Sequence, residues 1–441
     1  MTSNVIPLVN NKYSVAIPLN NYPYQKYNKD GKEVGLINHI DNLRYMIDFY
    51  GIVIRYNVIS KSEEIIIKGD CEGISDNKAT QELEFISSLC EINKYPISRI
   101  QQQVTTIANA NPYNPILEYA QSKPWDGKDR INEVCATVVT NVDVMKWRNV
   151  AVRKMIYSAI AASMNNENHR FSFKGMLVLQ GAQGLGKTPW IRLLVGDMIE
   201  FFKEGHELDP NRKDSVIEAL ANWVVELGEL DATTKKADVA ALKAFLTKYL
   251  DEYRKPYAPS SSKSPRRTIF IGTVNPSEFL VDTTGNDRFW TVPVVKLLLD
   301  SLEKIDKQQL WAQALQELRV SLKQGVKPWE LNDHEKSLMR EVNEKFRAFT
   351  PIEEKLRDAF EVPMAENQPL KWHGSTMKIC NVIAGGNVSA KERAIAKQWL
   401  TKHFGEERKV KGVTGFSIPQ PSIVCDGDNY FAGFYKFADK K

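Results

Sequence analysis

Cysteine is scarce in this 441-residue chain. Five residues, at positions 71, 90, 135, 380 and 425, are odd in number and never spaced CxxC. That pattern argues against both a disulfide framework and a zinc knuckle. The six histidines are equally dispersed, as packing or surface residues are. No apolar run approaches the ~20 residues a membrane-spanning helix needs. The opening stretch, MTSNVIPLVNNKYSVAIPLNN, has no basic start followed by an apolar block, so a secretory signal is not expected and the cytoplasm is. Internal repeats and long low-complexity tracts are absent, and SSSKSPRR at 260–267 is the one biased patch. What remains is an ordinary soluble composition, 43% hydrophobic and 26% charged with a net charge of +5, and length enough for two or three domains.

The pattern along the chain changes several times. Residues 1–77 read as a small α+β module, in which Gly51–Lys68 alternates apolar and polar residues as a two-stranded hairpin does. Residues 78–170 read as a helical collar, with QELEFISSLCEIN as one helix. Another helix spans about Met145 to Met164, where Val152, Ile156 and Ile160 repeat at i, i+4 and i+8. Residues 171–300 alternate strand-like runs (GMLVLQ, NWVVEL, RTIFIGTVN, RFWTVPV) with helices, the signature of an α/β layer with a mainly parallel sheet. Residues 301–349 are a charged helical extension, and 350–441 form a separate unit.

The chemistry starts at Gly181-Ala182-Gln183-Gly184-Leu185-Gly186-Lys187-Thr188, a GxxxxGK[ST] phosphate loop between a strand and a helix. Phosphates need bare backbone N–H donors, and glycine lets the chain come close enough to supply them. Lys187 would reach the β- and γ-phosphates of ATP, and the Thr188 hydroxyl would ligate magnesium. Pro189 sits in the first turn of the helix, where a missing N–H is tolerated. In NWVVELGE an apolar strand delivers Glu226, with Glu229 just beyond. One carboxylate would hold the magnesium shell and the other would orient or deprotonate the attacking water, the division between them staying open. The strand Thr268–Thr273 leads to Asn275, a polar sensor of the γ-phosphate or a turn former before Pro276. Arg288 follows in a turn, suited to neutralise transition-state charge in trans or to pair at the surface.

The segments GAQGLGKT, WVVELGEL, LKAFLT, DEYRKPYAPS and GTVNPSEFLVDTTGNDRFW together closely resemble the virulence-associated protein E family, as does the lead-in PILEYAQSKPWDGKDRI. The resemblance covers about residues 90–300. Members are carried by bacteriophages and mobile islands and are related to superfamily 3 helicases of the AAA+ class. The resemblance implies a P-loop AAA+ core, ATP and magnesium as cofactors, and a homo-hexamer with its sites between subunits. It also implies single-stranded DNA in a central pore, inside a bacterial host cell. Where the family often has an arginine pair, this chain has Asp287-Arg288. A DNA-tracking hairpin is expected between the carboxylates and the sensor. There Arg254, Lys255, Lys263, Arg266 and Arg267 form a basic-aromatic cluster that suits phosphates and stacked bases. A solvated loop fits as well, and Arg254 and Lys255 could instead face a neighbour's nucleotide.

In the last unit, helices are expected over 351–361, 376–383 and from the Ser389 cap to about His403. Ala394, Ile395, Trp399 and Leu400 would lie on the apolar side of the last helix, with short strands near 413–419. Helices followed by a basic loop and a β-ribbon make a winged-helix-like plan. Between Lys391 and Lys411 seven Lys/Arg face three Glu. Lys391, Arg393, Lys397, Lys402, Arg408, Lys409 and Lys411, as a group, would bind duplex DNA, an oligomerisation or docking domain being the other reading. The expectation is a hexameric replication helicase with an origin-binding tail, primed by a separate primase or the host replisome. The alternative is a nucleotide-switched regulator, defence sensor or helicase loader that does not unwind.

Overall fold

Five short strands rich in Val, Leu, Ile and Phe form one parallel sheet in the middle of the chain. The computed structural model describes residues 19–67, 77–166, 168–228, 236–253, 262–275, 286–346, 350–360, 370–384, 388–419, 421 and 434–436. These fall into two units, the first ending at Phe346 and the second beginning beyond it.

The sheet runs Phe289–Pro293, Met176–Gln180, Ile269–Val274, Val224–Leu227 and Phe202–Lys203 in spatial order, every neighbouring pair parallel. Leu177, Val178 and Leu179 are all fully buried, as strands covered on both faces must be. Each such side chain contributes roughly 1.5–3 kcal/mol by leaving water. The strand Ile269–Val274, which leads to Asn275, lies between the phosphate-loop strand and the Glu226 strand. Its register sets Ile271 level with both Leu177 and Glu226.

The helical collar packs directly onto this sheet. The helix Met145–Ser163 is buried on nearly all sides rather than on one stripe, which marks a core helix. Three indoles join the collar to the core: Trp147 Nε1 donates to Thr291 O at 2.7 Å, Trp223 Nε1 to Ala159 O at 2.8 Å and Trp190 Nε1 to Thr137 Oγ1 at 2.8 Å. The helix Lys307–Lys323 completes the bundle. Its Gln313 Oε1 accepts from the N–H groups of Arg130 and Ile131, capping the helix Arg130–Ala136.

The N-terminal hairpin forms as expected. Val53–Asn57 pairs antiparallel with Ser62–Ile66, turning at Lys61 with φ +58°. The boundary expected at residue 77 does not divide two cores. Leu43 and Met46 of the helix Ile40–Phe49 share one apolar cluster with Ile86 and Leu89 of Lys78–Ile92 and with Val104 and Ile107 of Ile100–Asn109.

In the second unit the order is helix Pro351–Phe360, strand Trp372–Gly374, helices Thr376–Ala384 and Ala390–Phe404, and strands Arg408–Val410 and Val413–Ile418. The cap at Ser389 is a full capping box with Glu392. Ala396, Trp399 and Leu400 face the core, whereas Ala394, expected on the apolar side, is exposed. The hairpin turns at Lys411 and Gly412, both at positive φ, the geometry of a two-residue turn. The strand Trp372–Gly374 had no sequence expectation. It pairs with Val413–Ile418 so closely that a Cβ on Gly415 would lie 2.0 Å from Gly374 O.

Candidate nucleotide site

The phosphate loop crosses the C-terminal edge of the sheet, where the Gly181 N–H donates to Val274 O at 3.2 Å. Gly184 and Gly186 sit at φ +83° and +82°, in the left-handed region that side chains resist. Gly186 immediately precedes the helix Lys187–Val195, so the helix opens with its N–H groups toward the loop. Lys187 is 8% exposed. Its ammonium donates to Gly181 O at 2.6 Å, Ala182 O at 3.0 Å and Asn275 Oδ1 at 2.8 Å.

Beneath the loop, the Thr188 hydroxyl donates to Glu226 Oε1 at 2.5 Å. The same oxygen accepts from Thr273 Oγ1 at 3.0 Å, and Oε2 accepts from the Gly205 N–H at 3.3 Å. Glu226 is 1% exposed, so its carboxylate is held by donors rather than by water. Lys187, Thr188, Glu226 and Asn275 all line one cavity of about 570 Å³, together with Gln183, Gly184, Leu185 and Gly186. That volume lies within the usual range for a small-molecule pocket.

Sequence reasoning missed Thr273, Glu204, Gly205 and Glu207, which also line it. Thr273 stood two residues before Asn275 on a strand already identified, and alternation put both on one face. The Glu204–Glu207 loop carried no motif. Among the described residues no group of three or more His, Cys, Asp or Glu could hold a metal. Under the phosphate loop the Glu226 carboxylate and the Thr188 hydroxyl form a hard-oxygen pair of the kind magnesium takes when phosphates and water complete its shell. Glu229 lies outside the described residues.

Arg288 does not line this cavity. It ends the short turn Asn286–Arg288, and Phe289 pairs with Met176, so Arg288 is level with Gly175 at the N-terminal edge of the sheet. Six residue rises of ~3.3 Å put it about 20 Å from Gly181. There it lines a second cavity of about 520 Å³ with Lys174, Asp287 and Lys336.

The basic cluster of the expected hairpin divides. Leu250–Tyr253 and Ser262–Pro265 do pair antiparallel, and Arg254 and Lys255 lie outside the described residues. Lys263 is exposed on the second strand. Arg266, expected to bind DNA, is corrected: it is 1% exposed and ion-paired with Asp251, and its Nη1 donates to Phe245 O at 2.5 Å. Its guanidinium lies 4.2 Å from the Phe245 ring centroid. Desolvated and ion-paired within the fold, it is closed to a phosphate. Arg267 is half-buried, with Nη1 donating to Val58 O at 3.2 Å.

In the second unit Lys391, Lys397, Lys402, Arg408, Lys409 and Lys411 are exposed, and Arg393 is partly exposed beside Met377. Lys397 pairs with Glu407 at 2.5 Å. Arg408 and Lys409 lie on a strand of the hairpin rather than in a loop. The described thiols are inert in their surroundings. Burial pushes Cys90 up to about 12 and Cys135 and Cys380 up to about 11. No described helix is long and apolar enough to cross a membrane.

No curated protein matches the chain. Among solved structures, one described as the apo structure of the NrS-1 C terminal region (305-718) aligns at 14% identity and a TM-score of 0.45. The alignment covers 86% of this chain and 98% of that one. A second, the A form apo structure of the same region, aligns at 13% identity and 0.44, again covering 86% and 98%. The family model for the virulence-associated protein E-like domain matches residues 120–348, just over half of the chain. That span includes the phosphate loop, Glu226, Asn275 and Arg288, and it runs past the expected end at 300 to the close of the first unit. The chain belongs to the virulence-associated protein E-like family.

Proposed function

We propose that this protein is a magnesium-dependent ATPase of a phage or mobile element that acts on DNA as a ring of six copies, a replication helicase with a C-terminal DNA-binding unit. The observation that carries the ATPase reading is the Thr188–Glu226 contact at 2.5 Å beneath the phosphate loop. A hydroxyl and a carboxylate oxygen held that close are poised to share one small cation.

In this reading Lys187 exchanges its loop carbonyls and Asn275 for the β- and γ-phosphates. Bound magnesium would neutralise phosphate charge, held on the protein side by Thr188 and Glu226. The Asn275 amide, released from Lys187, orients the γ-phosphate or the attacking water. With Glu226 held by Thr188, Thr273 and Gly205, this reading assigns activation of that water to Glu229.

The remoteness of Arg288 supports placing the reaction between subunits. An arginine about 20 Å from its own phosphate loop cannot serve that loop, but a neighbour's loop in a ring can receive it. In the second unit, the order helix, strand, helix, helix, hairpin is that of a winged helix. It supports duplex binding through Lys391, Arg393, Lys402, Arg408, Lys409 and Lys411, the hairpin acting as the wing.

Strand displacement on a forked duplex, with ATP hydrolysis followed in parallel, tests this reading. Displacement by the wild type and none by Lys187→Ala is the expected result. Hydrolysis without displacement by an intact ring would leave the ATPase and remove the helicase, in favour of a nucleotide-switched regulator or loader.

A further inference from the structure

Beside Arg288 stands an acid that would quench it if left alone. Asp287 and Arg288 are neighbours in one short turn, and both line the same cavity. Asp287 is nevertheless taken by another residue. Arg340, on the helix Asp333–Glu344, donates from Nη2 to Asp287 Oδ2 at 2.9 Å and from Nε to Oδ1 at 3.3 Å, a two-pronged contact. One helical turn further, Asn343 Nδ2 donates to Phe289 O at 2.8 Å. The same helix therefore holds the residue on each side of Arg288. Among the described residues Arg288 itself has no acceptor, and its Nε is buried without one.

An ion pair between groups 62% and 45% exposed adds little to stability. Its consequence is electrostatic: with Arg340 in place the Asp287 carboxylate is compensated and, among the described residues, the Arg288 guanidinium is left unpaired for an incoming phosphate. We infer that Arg340 is a positioning residue for the subunit-interface reaction, holding Asp287 away from Arg288 so that Arg288 stays available to a phosphate carried by a second copy of this chain. This rests on the reading of Arg288 given above.

The test compares steady-state ATP hydrolysis of Arg288→Ala, Arg340→Met and the double variant Asp287→Asn/Arg340→Met in the full chain, each checked for an unchanged melting temperature and ring size. Arg340→Met should lower kcat at least about tenfold with KM changed less than about twofold, the mark of an interaction made in the transition state. The double variant should recover most of that loss, because the acid adjoining Arg288 in the turn is gone. A merely structural clamp would leave the double variant as slow as the single. Wild-type kcat in Arg340→Met, or a double variant with no recovery, overturns the inference. Wild-type kcat in Arg288→Ala instead overturns the trans-arginine reading beneath it.

Discussion

The hydroxyl of Thr188 and the carboxylate of Glu226 meet at 2.5 Å, although 38 residues separate them in the chain. The contact joins the start of the helix after the phosphate loop to the buried end of a strand two positions away in the sheet. Thr188→Val keeps the shape and removes that oxygen. The magnesium concentration for half-maximal ATP hydrolysis should then rise at least about tenfold, the loss seen even when only a partner of a metal ligand is altered. A magnesium titration checks it, and an unchanged midpoint would remove Thr188 from the metal shell.

Arg266 and Asp251 are each at most 3% exposed. Replacing Arg266 alone by Met strands a buried carboxylate and should cost about 3–5 kcal/mol. Replacing both, as Arg266→Met/Asp251→Leu, removes charge and partner together and should restore most of that loss. Urea denaturation of the two variants measures the difference. Equal destabilisation would mean that the pair does not act as a unit.

Gly415 faces a backbone oxygen with no room for a side chain. Gly415→Ala must push apart Trp372–Gly374 and Val413–Ile418 and should destabilise the second unit by about 1–3 kcal/mol, as overpacking does. Hydrogen exchange should quicken in those two strands. ATP hydrolysis by the first unit should persist, since no described residue beyond 346 lines its cavity. Undisturbed exchange in both strands would contradict the close approach.

Asp126 is bound by Arg130 at 2.6 and 2.7 Å, and that guanidinium holds its carboxyl well below the usual carboxylate range. A carboxyl lowered by folding stabilises the protein above its unfolded pKa, near 3.9, and loses that contribution as pH falls through the folded value. Asp126→Asn should therefore lower the melting temperature at neutral pH and flatten its fall below about pH 4. Melting curves between pH 2 and pH 7 test this. A variant as acid-sensitive as the wild type would assign the acid loss to other carboxyls.

Local patterns in the chain announced a good deal of this molecule. The Gly181–Thr188 spacing, the apolar run into Glu226 and the strand leading to Asn275 are short-range features, and each marks its own strand end without reference to the rest. The Ser389–Glu392 capping box is equally local, and it formed as expected. Other features could not be read this way. Arg266 resembled Arg254 and Lys255 as one of a run of cations, because sequence shows charge but not burial. Asp251, which neutralises it, stands 15 residues earlier. The apolar repeat at Val152, Ile156 and Ile160 showed the collar helix but not what it packs on, because the indoles of Trp147 and Trp223 find their acceptors 144 and 64 residues away.

By itself, then, the sequence determined which residues could carry phosphate chemistry and which elements they end, because glycine spacing, alternation and capping act over a few residues. Only the tertiary structure decided which of them meet. Parallel pairing put the Asn275 strand between those of Lys187 and Glu226, drawing three distant segments to one edge. The same pairing sent Arg288 to the opposite edge. Strand order and register depend on contacts summed over the whole sheet, and no local pattern encodes them.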